Sequence, residues 1–179
     1  EEGGILIDND TILAVDQFEN LKINHPNVAL DLIETDQVLL PGFIDSHVHI
    51  LGGGGEGGFS TRTPEITLSS ITKSGVTTVV GCLGTDGVSR DMVSLLAKAR
   101  GLEEEGITSY IYAGSYRLPL KTITGDVMKD IMVVDKIIGI GEIAISDHRS
   151  SQPSFNEFCK TVADARVAGM LSGKAGIIN

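Results

Sequence analysis

Residues Pro41 to His49, which read PGFIDSHVH, are the most informative segment of the chain. Its apolar and β-branched residues predict a strand. Alternate side chains of a strand share a face, so Asp45, His47 and His49 are expected to point the same way. Two imidazoles at the carboxyl end of a strand are donors that suit zinc. A bare His-x-His also occurs on strands by chance, but the apolar strand before it and the glycine run after it favour a metal site.

From Pro41 onward, strands and helices alternate along the chain. The predicted strands are 42–50, 77–83, 108–113 and 137–145, the predicted helices are 64–74, 89–105, 126–135 and 154–171, and residues 174–178 begin a fifth strand. Thr63 is the expected N-cap of the first helix. This alternation predicts parallel βαβ units with right-handed crossovers. Periodicity alone leaves open whether they form a complete open sheet or half of an eight-stranded barrel.

The residues before Pro41 follow a different pattern. Four short apolar segments, at 5–7, 11–15, 28–30 and 38–40, are separated by turn-forming residues. Such segments favour antiparallel pairing. We therefore expect a partial β module over residues 1–40 and βα units over residues 41–179.

Composition limits the partners. The net charge of −10, from 24 acidic and 14 basic residues, argues against nucleic acid or an anionic membrane and favours a small molecule. Cys82 and Cys159 are too few for a disulfide framework, so we expect free thiols that pack in the core of a cytoplasmic protein. The missing initiator methionine and the abrupt end at Asn179 indicate a fragment.

A glycine-rich run, GGGGEGG, occupies residues 52–58. Such runs are usually flexible linkers. Here a single acid, Glu56, stands among the glycines at the mouth of the expected metal site, which favours a loop that approaches a ligand closely and offers a carboxylate to an ammonium group. A phosphate-binding loop is the weaker alternative, because the lysine of that motif is absent.

Several polar residues follow or interrupt the later strands. Glu142 lies in the apolar stretch IGIGEIAIS, where an acid is costly unless it is paired or binds a cation; we favour a metal ligand over a buried ion pair. Arg149 lies in a strand-to-helix loop, where barrel enzymes place functional groups, and could hold a carboxylate or simply be solvated. Thr85 and Tyr116 occupy equivalent places after other strands, where turn or packing roles are commoner.

Together these residues resemble the amidohydrolase superfamily, whose first barrel strand ends in His-x-His. Within it, residues 41–56 and 61–65, with 83–87, 122–125 and 144–150, resemble the isoaspartyl dipeptidases. The resemblance implies an α/β fold: the first half of a (β/α)8 TIM barrel of the metal-dependent hydrolase type, preceded by part of a small β-sandwich module.

The resemblance also implies an activity. Members of this family use two zinc ions and a zinc-activated hydroxide to cleave the β-linked (isoaspartyl) amide of dipeptides, and they form homo-oligomers. Carried over residue by residue, it makes His47 and His49 metal ligands, and it gives Gly54 and Thr85 contacts with substrate. It also makes Glu56 an acceptor for the substrate ammonium, Tyr116 a phenol that stabilises the tetrahedral intermediate, and Arg149 a clamp for a carboxylate.

Two departures from the family are visible. Glu142 stands where well-known members have a carboxylated lysine between the metals; either group supplies a bridging carboxylate, but glutamate is shorter. Two further histidines and an acid–base aspartate, from later strands, have no counterpart in residues 1–179, so we expect this chain alone to be inactive. The rival functions are another amidohydrolase, of the D-aminoacylase or cyclic-imide hydrolase type, or a non-catalytic barrel-shaped assembly protein.

Overall fold

The computed structural model describes residues 3–26, 29 and 31–179. Contacts divide the chain into two compact units, Glu1–Leu40 and Pro41–Asn179. In the first unit, strand β1 (Gly4–Asp8) pairs antiparallel with β2 (Thr11–Asp16), and helix α1 (Phe18–Asn24) follows. The antiparallel pairing expected for the first two segments is confirmed.

The rest of the first unit differs from the prediction. Helix α1 was not predicted; it buries Leu21, while Leu6 is the buried residue of β1. Residues 38–40 are not a strand, and their side chains are exposed. An apolar segment becomes a strand only where another strand pairs with it, and no described residue of this unit does so here. The expected segment 28–30 includes Val28 and Leu30, which lie outside the described residues.

The second unit is a parallel sheet whose strands are linked by helices. Its strands are β3 (Phe43–Val48), β4 (Val76–Gly81), β5 (Thr108–Ala113), β6 (Ile137–Ile140) and β7 (Ile177–Ile178), paired in chain order. Between them lie a 3-10 turn (Phe59–Thr61) and the helices α2 (Leu68–Thr72), α3 (Met92–Glu104), α4 (Val127–Val133) and α5 (Phe155–Ser172). The predicted strand–helix alternation and its parallel pairing are confirmed.

Two predicted boundaries are wrong for the same reason. Helix α2 begins at Leu68 rather than 64, because the preceding residues bond back to the chain that follows β3: the Thr63 N–H donates to Gly53 O at 3.0 Å, and the Ile66 N–H to Ile50 O at 3.2 Å. Thr67, not Thr63, is therefore the N-cap residue. Strand β6 ends at Ile140, since the following residues bond to other loops, so Glu142 lies beyond the strand instead of inside it.

The core fixes the position of the strand ends. Aliphatic residues of the sheet and of α3–α5 form one buried cluster; its fully buried members include Leu95, Leu102, Ile111, Ile131, Ile137 and Ile140. Burying each such side chain stabilises the fold by about 1.5–3 kcal/mol. The register places Val48 beside Gly81 and Ile140 beside both Ala113 and Ile178, so the five carboxyl ends lie along one edge. None of the described helices has the length and apolar character needed to cross a membrane.

Candidate active site at the carboxyl edge of the sheet

Four metal-type donors meet where the strands end. His47 lies on β3, and His49, Cys82 and Glu142 follow the ends of β3, β4 and β6. Taking one donor atom from each residue, all four lie within 4.8 Å of one another. Oε2 of Glu142 is 2.8 Å from Nε2 of His47 and 3.4 Å from Nε2 of His49. The structure therefore brings together the three residues that the sequence singled out as ligands.

The ring of His47 is oriented by the far end of the sheet. Nδ1 of His47 is 2.8 Å from Oδ1 of Asn179, directly after β7. Asp45 was expected to point the same way as His47, but the structure gives it no hydrogen bond to the ring. Instead, Oδ1 of Asp45 accepts the backbone N–H of His47 at 3.1 Å, because a carboxylate two residues earlier on the strand reaches the backbone more readily than the ring.

Cys82 is the member of the cluster that sequence reasoning missed. We expected core packing, and the residue is indeed buried, with 1% exposure. Its sulfur, however, lies 3.7 Å from Nδ1 of His49 and 3.9 Å from Oε2 of Glu142. Burial raises the pKa of the Cys82 thiol to about 12, and the nearby Glu142 and Asp45 carboxylates act in the same direction. The local pattern carried no such signal, because the predicted strand 77–83 placed Cys82 inside the strand, whereas β4 ends at Gly81.

Space around His49 depends on a glycine. A Cβ at Gly84 would come within 2.8 Å of Cε1 of His49. Real Cβ atoms essentially never approach so closely, so any other residue at position 84 would push the imidazole out of place. The chain thus keeps room for the ring beside the donor cluster.

The glycine-rich run forms hydrogen-bonded turns and is not a flexible linker. Gly54 has φ of +68°, and a Cβ there would lie 2.5 Å from the carbonyl oxygen of Thr61. Buried Arg90 holds the run from below, donating from Nε to Leu51 O at 3.1 Å and from Nη2 to Gly53 O at 3.1 Å. These contacts fix the backbone that carries Glu56.

The Glu56 carboxylate has two partners from other loops. Oε1 accepts from Thr85 Oγ1 at 3.0 Å and from Nη1 of Arg149 at 3.1 Å. Its pKa is lowered, first by its own backbone N–H and then by Thr85, with Arg149 contributing charge. The carboxylate is therefore held ionised, as a cation acceptor requires.

Arg149 is occupied on three sides. Nε and Nη2 bind the two carboxylate oxygens of Asp147, each at 2.9 Å, and Nη2 lies 3.2 Å from the Tyr116 hydroxyl. Asp147 raises the pKa of the guanidinium, while burial raises the pKa of the Tyr116 phenol. The residues predicted to hold opposite charges of a substrate, Glu56 and Arg149, thus contact each other.

A single cavity joins the donor cluster to this charged pair. It has a volume of about 210 Å³. Seven of the eight residues proposed from the sequence line it, namely His49, Gly54, Glu56, Thr85, Tyr116, Glu142 and Arg149. His47 adjoins this set through Glu142. One space therefore brings metal-type donors within reach of groups that can hold both an ammonium and a carboxylate.

Parallel βα units that gather such groups at the carboxyl ends of their strands have the architecture of barrel enzymes. Two solved β-aspartyl dipeptidase structures from Fervidobacterium islandicum AW-1 match the chain. One is 52% identical, with a TM-score of 0.91, over 99% of this chain and 48% of its own. The other, in complex with the β-Asp-Leu dipeptide, is 65% identical, with a TM-score of 0.77, over 78% of this chain and 38% of its own. The resemblance to isoaspartyl dipeptidases and the expected half of a TIM barrel are confirmed.

The chain spans about half the length of the solved relatives, or less. Among curated proteins it matches the adenine deaminase of Clostridium acetobutylicum, at 22% identity over 151 residues, which are 79% of this chain and 23% of the deaminase. No family model matches. The chain is thus similar, in sequence and in fold, to hydrolases of the dipeptidase type.

Proposed function

We propose that the full-length protein is a metal-dependent isoaspartyl dipeptidase, hydrolysing the β-linked amide of aspartyl dipeptides. The observation that supports this most directly is the cavity in which Glu56 and Arg149 lie beside a His, His, Cys, Glu cluster. Such a cavity suits a small zwitterionic substrate. The 65% identity to an enzyme whose structure holds β-Asp-Leu supports the same assignment.

The donor set fits zinc. Imidazole nitrogen, carboxylate oxygen and thiol sulfur are the ligands that zinc takes in proteins, and His47, His49 and Glu142 would hold it here. When bound, zinc supplies Lewis-acid chemistry, lowering the pKa of water and polarising a carbonyl group. A site with two zinc ions, as in the family, would need further donors from outside these 179 residues.

The roles of the other residues follow from their contacts. Glu56, ionised and fixed by Thr85, would accept the substrate ammonium. Asp147 would hold the guanidinium of Arg149 in place. When substrate binds, Nη1 of Arg149 would leave Glu56 and donate to a substrate carboxylate. The Tyr116 hydroxyl, whose raised pKa keeps it protonated, would donate to the carbonyl oxygen as negative charge develops there. Gly54 lets the loop approach the substrate without a side chain in the way.

The test compares two isomeric substrates. Full-length protein should release aspartate from β-Asp-Leu and not from α-Asp-Leu, because the charged pair sets the distance from ammonium and carboxylate to the amide carbonyl. Equal rates on both dipeptides would exclude this assignment and favour a less selective amidohydrolase. No turnover of either, by protein loaded with zinc, would favour the non-catalytic alternative.

A variant tests the ammonium site. Glu56→Gln should lower kcat/KM on β-Asp-Leu by about 10–100-fold, since the substrate ammonium loses its charge-assisted hydrogen bond to the carboxylate. It should have much less effect on the N-acetylated dipeptide, which has no ammonium. Glu65→Gln, which alters an exposed ion pair with Lys98, is the matched control and should leave both rates unchanged. Equal losses on both substrates would mean that Glu56 only supports the loop.

The same proposal includes a cytoplasmic homo-oligomer with a dipeptide as its small-molecule partner. The free thiols of Cys82 and Cys159 suit a reducing compartment. The oligomeric state rests on the family resemblance and is measured by light scattering of the full-length protein.

A further inference from the structure

The surroundings of Cys82 are unlike those of a packing cysteine. A buried cysteine usually packs as a small apolar side chain. Cys82 does continue an apolar row with Val80, next to Tyr112. Its sulfur, at the end of that row, faces one nitrogen of His49, one oxygen of Glu142 and the carbonyl oxygen of Val48 at 3.7–3.9 Å.

The backbone holds the sulfur in this position. The Cys82 N–H donates to the Val48 carbonyl at 3.0 Å, which continues the β3–β4 pairing one residue past the strand. That bond ties Cys82 to the residue between the two histidines. The backbone of Cys82 is therefore fixed beside the strand that carries both histidines.

Two donor pairs lie near the spacing of a tetrahedral metal site. With metal–ligand bonds of about 2.0–2.3 Å, neighbouring donors lie roughly 3.3–3.8 Å apart. Oε2 of Glu142 lies 3.4 Å from Nε2 of His49, within this range, and 3.9 Å from the Cys82 sulfur, just above it. The His47–Glu142 pair, at 2.8 Å, is shorter and would open by about half an ångström around an ion.

We propose that Cys82 binds the metal directly, as the fourth donor beside His47, His49 and Glu142. This inference rests on the proposed metal dependence and adds a ligand where the family resemblance gave none. As the sulfur–metal bond forms, the thiol releases its proton to solvent. A thiolate donor favours zinc, cobalt or cadmium over magnesium or manganese, so Cys82 sets which metal the site selects.

The test replaces zinc by cobalt in the full-length protein. Stripped protein reloaded with Co²⁺ should show a sulfur-to-cobalt charge-transfer band in the near ultraviolet. Cys82→Ser should lose the band while keeping the visible cobalt bands, and should bind Co²⁺ more than about tenfold more weakly. The matched control is Cys159→Ser, which changes the exposed cysteine of α5 and should keep band and affinity.

The outcomes separate this inference from the proposed function. Bound cobalt and active protein without a charge-transfer band would overturn the role of Cys82 and leave the dipeptidase assignment standing. Protein that binds no Co²⁺ or Zn²⁺ by elemental analysis would overturn both. If Cys82→Ser does not fold, X-ray absorption of the wild-type zinc protein decides: a sulfur neighbour at about 2.3 Å supports ligation, and only nitrogen and oxygen neighbours refute it.

Discussion

Asn179 contacts the candidate metal site through the imidazole ring of His47. Its Oδ1 faces Nδ1 of His47 at 2.8 Å, and as an acceptor it favours the tautomer with the proton on Nδ1, which leaves the lone pair of Nε2 free for a metal ion. Partners of this kind fix the tautomer and the plane of a ligating histidine. In the proposed site, Asn179 would thus position one ligand without being a ligand itself.

Removing this partner should weaken metal binding without removing a ligand. We expect Asn179→Ala in the full-length protein to lower zinc affinity by about 10–100-fold, and Asn179→Asp, which restores an oxygen acceptor, to recover most of it. Competitive titration with a chelating dye measures both. Asn20→Ala, in the first unit, is the control; an unchanged affinity for Asn179→Ala would show that the contact is incidental.

The sequence predicts single candidate residues of the site better than it predicts which of them contact each other. His47, His49 and Glu56 were identifiable because alternation on a strand and a lone acid among glycines are local patterns. The contact between Glu56 and Arg149 joins residues 93 positions apart. Nothing local encodes it, and the same holds for the sulfur of Cys82 beside Glu142.

Among the helices, α5 was predicted most closely because both of its ends carry local signals. The Ser154 side chain accepts the Glu157 N–H, the Glu157 side chain accepts the Ser154 N–H, and Gly173 ends the helix with φ of +70°. At the start of α2 the local signal, Thr63 as N-cap, was misleading, and the end of β6 carries no such signal. Their limits are set by hydrogen bonds to other parts of the chain, so both elements were predicted too long.

The capping box should have a measurable effect on stability. Ser154→Ala should lower the free energy of unfolding by about 1 kcal/mol, because the first turn loses its side-chain acceptor. Asn156→Ala, at an exposed position in the same turn, should be close to neutral. Urea unfolding of the full-length protein measures both, and equal effects would mean that Ser154 contributes only helix propensity.

Glu157 should make part of that stability depend on pH. The Ser154 hydroxyl and backbone N–H lower the pKa of its carboxyl below the ordinary value of 4.5. A lowered folded-state pKa gives stability that is fully present above 4.5 and is lost as the pH falls through the folded value. In Glu157→Gln this component should be absent, so the stability difference between wild type and variant should shrink toward low pH. A difference that stays constant from pH 7 to pH 3 would contradict the assignment.

For the molecule as a whole, the described sheet has two edges, since β3 and β7 each pair on one side only. Unpaired edges of this kind invite association with other strands. Barrel closure is a property of the entire strand set. The strand–helix alternation of residues 41–179 therefore predicted the local topology but could not by itself distinguish half a barrel from an open sheet.

We expect a protein consisting of residues 1–179 alone to self-associate and to lack dipeptidase activity. Light scattering and turnover of β-Asp-Leu, run beside the full-length protein, test both statements. A monodisperse species of 18.9 kDa with full activity would show that the five-stranded unit is sufficient for catalysis.

The contact between Glu56 and Arg149 has a consequence for the thermodynamics of ligand entry. A zwitterionic ligand would replace the ion pair between Glu56 and Arg149 by two ion pairs, one with each side chain. Neither side chain would be left with an unpaired charge. A ligand with one negative charge would take Arg149 from Glu56 and leave that carboxylate without a charged partner, whereas one with a single positive charge would leave Arg149 with Asp147. In the proposed enzyme, a preference for dipolar molecules would therefore be present before any of them arrives, as a bond within the protein that only such a molecule can replace at both ends.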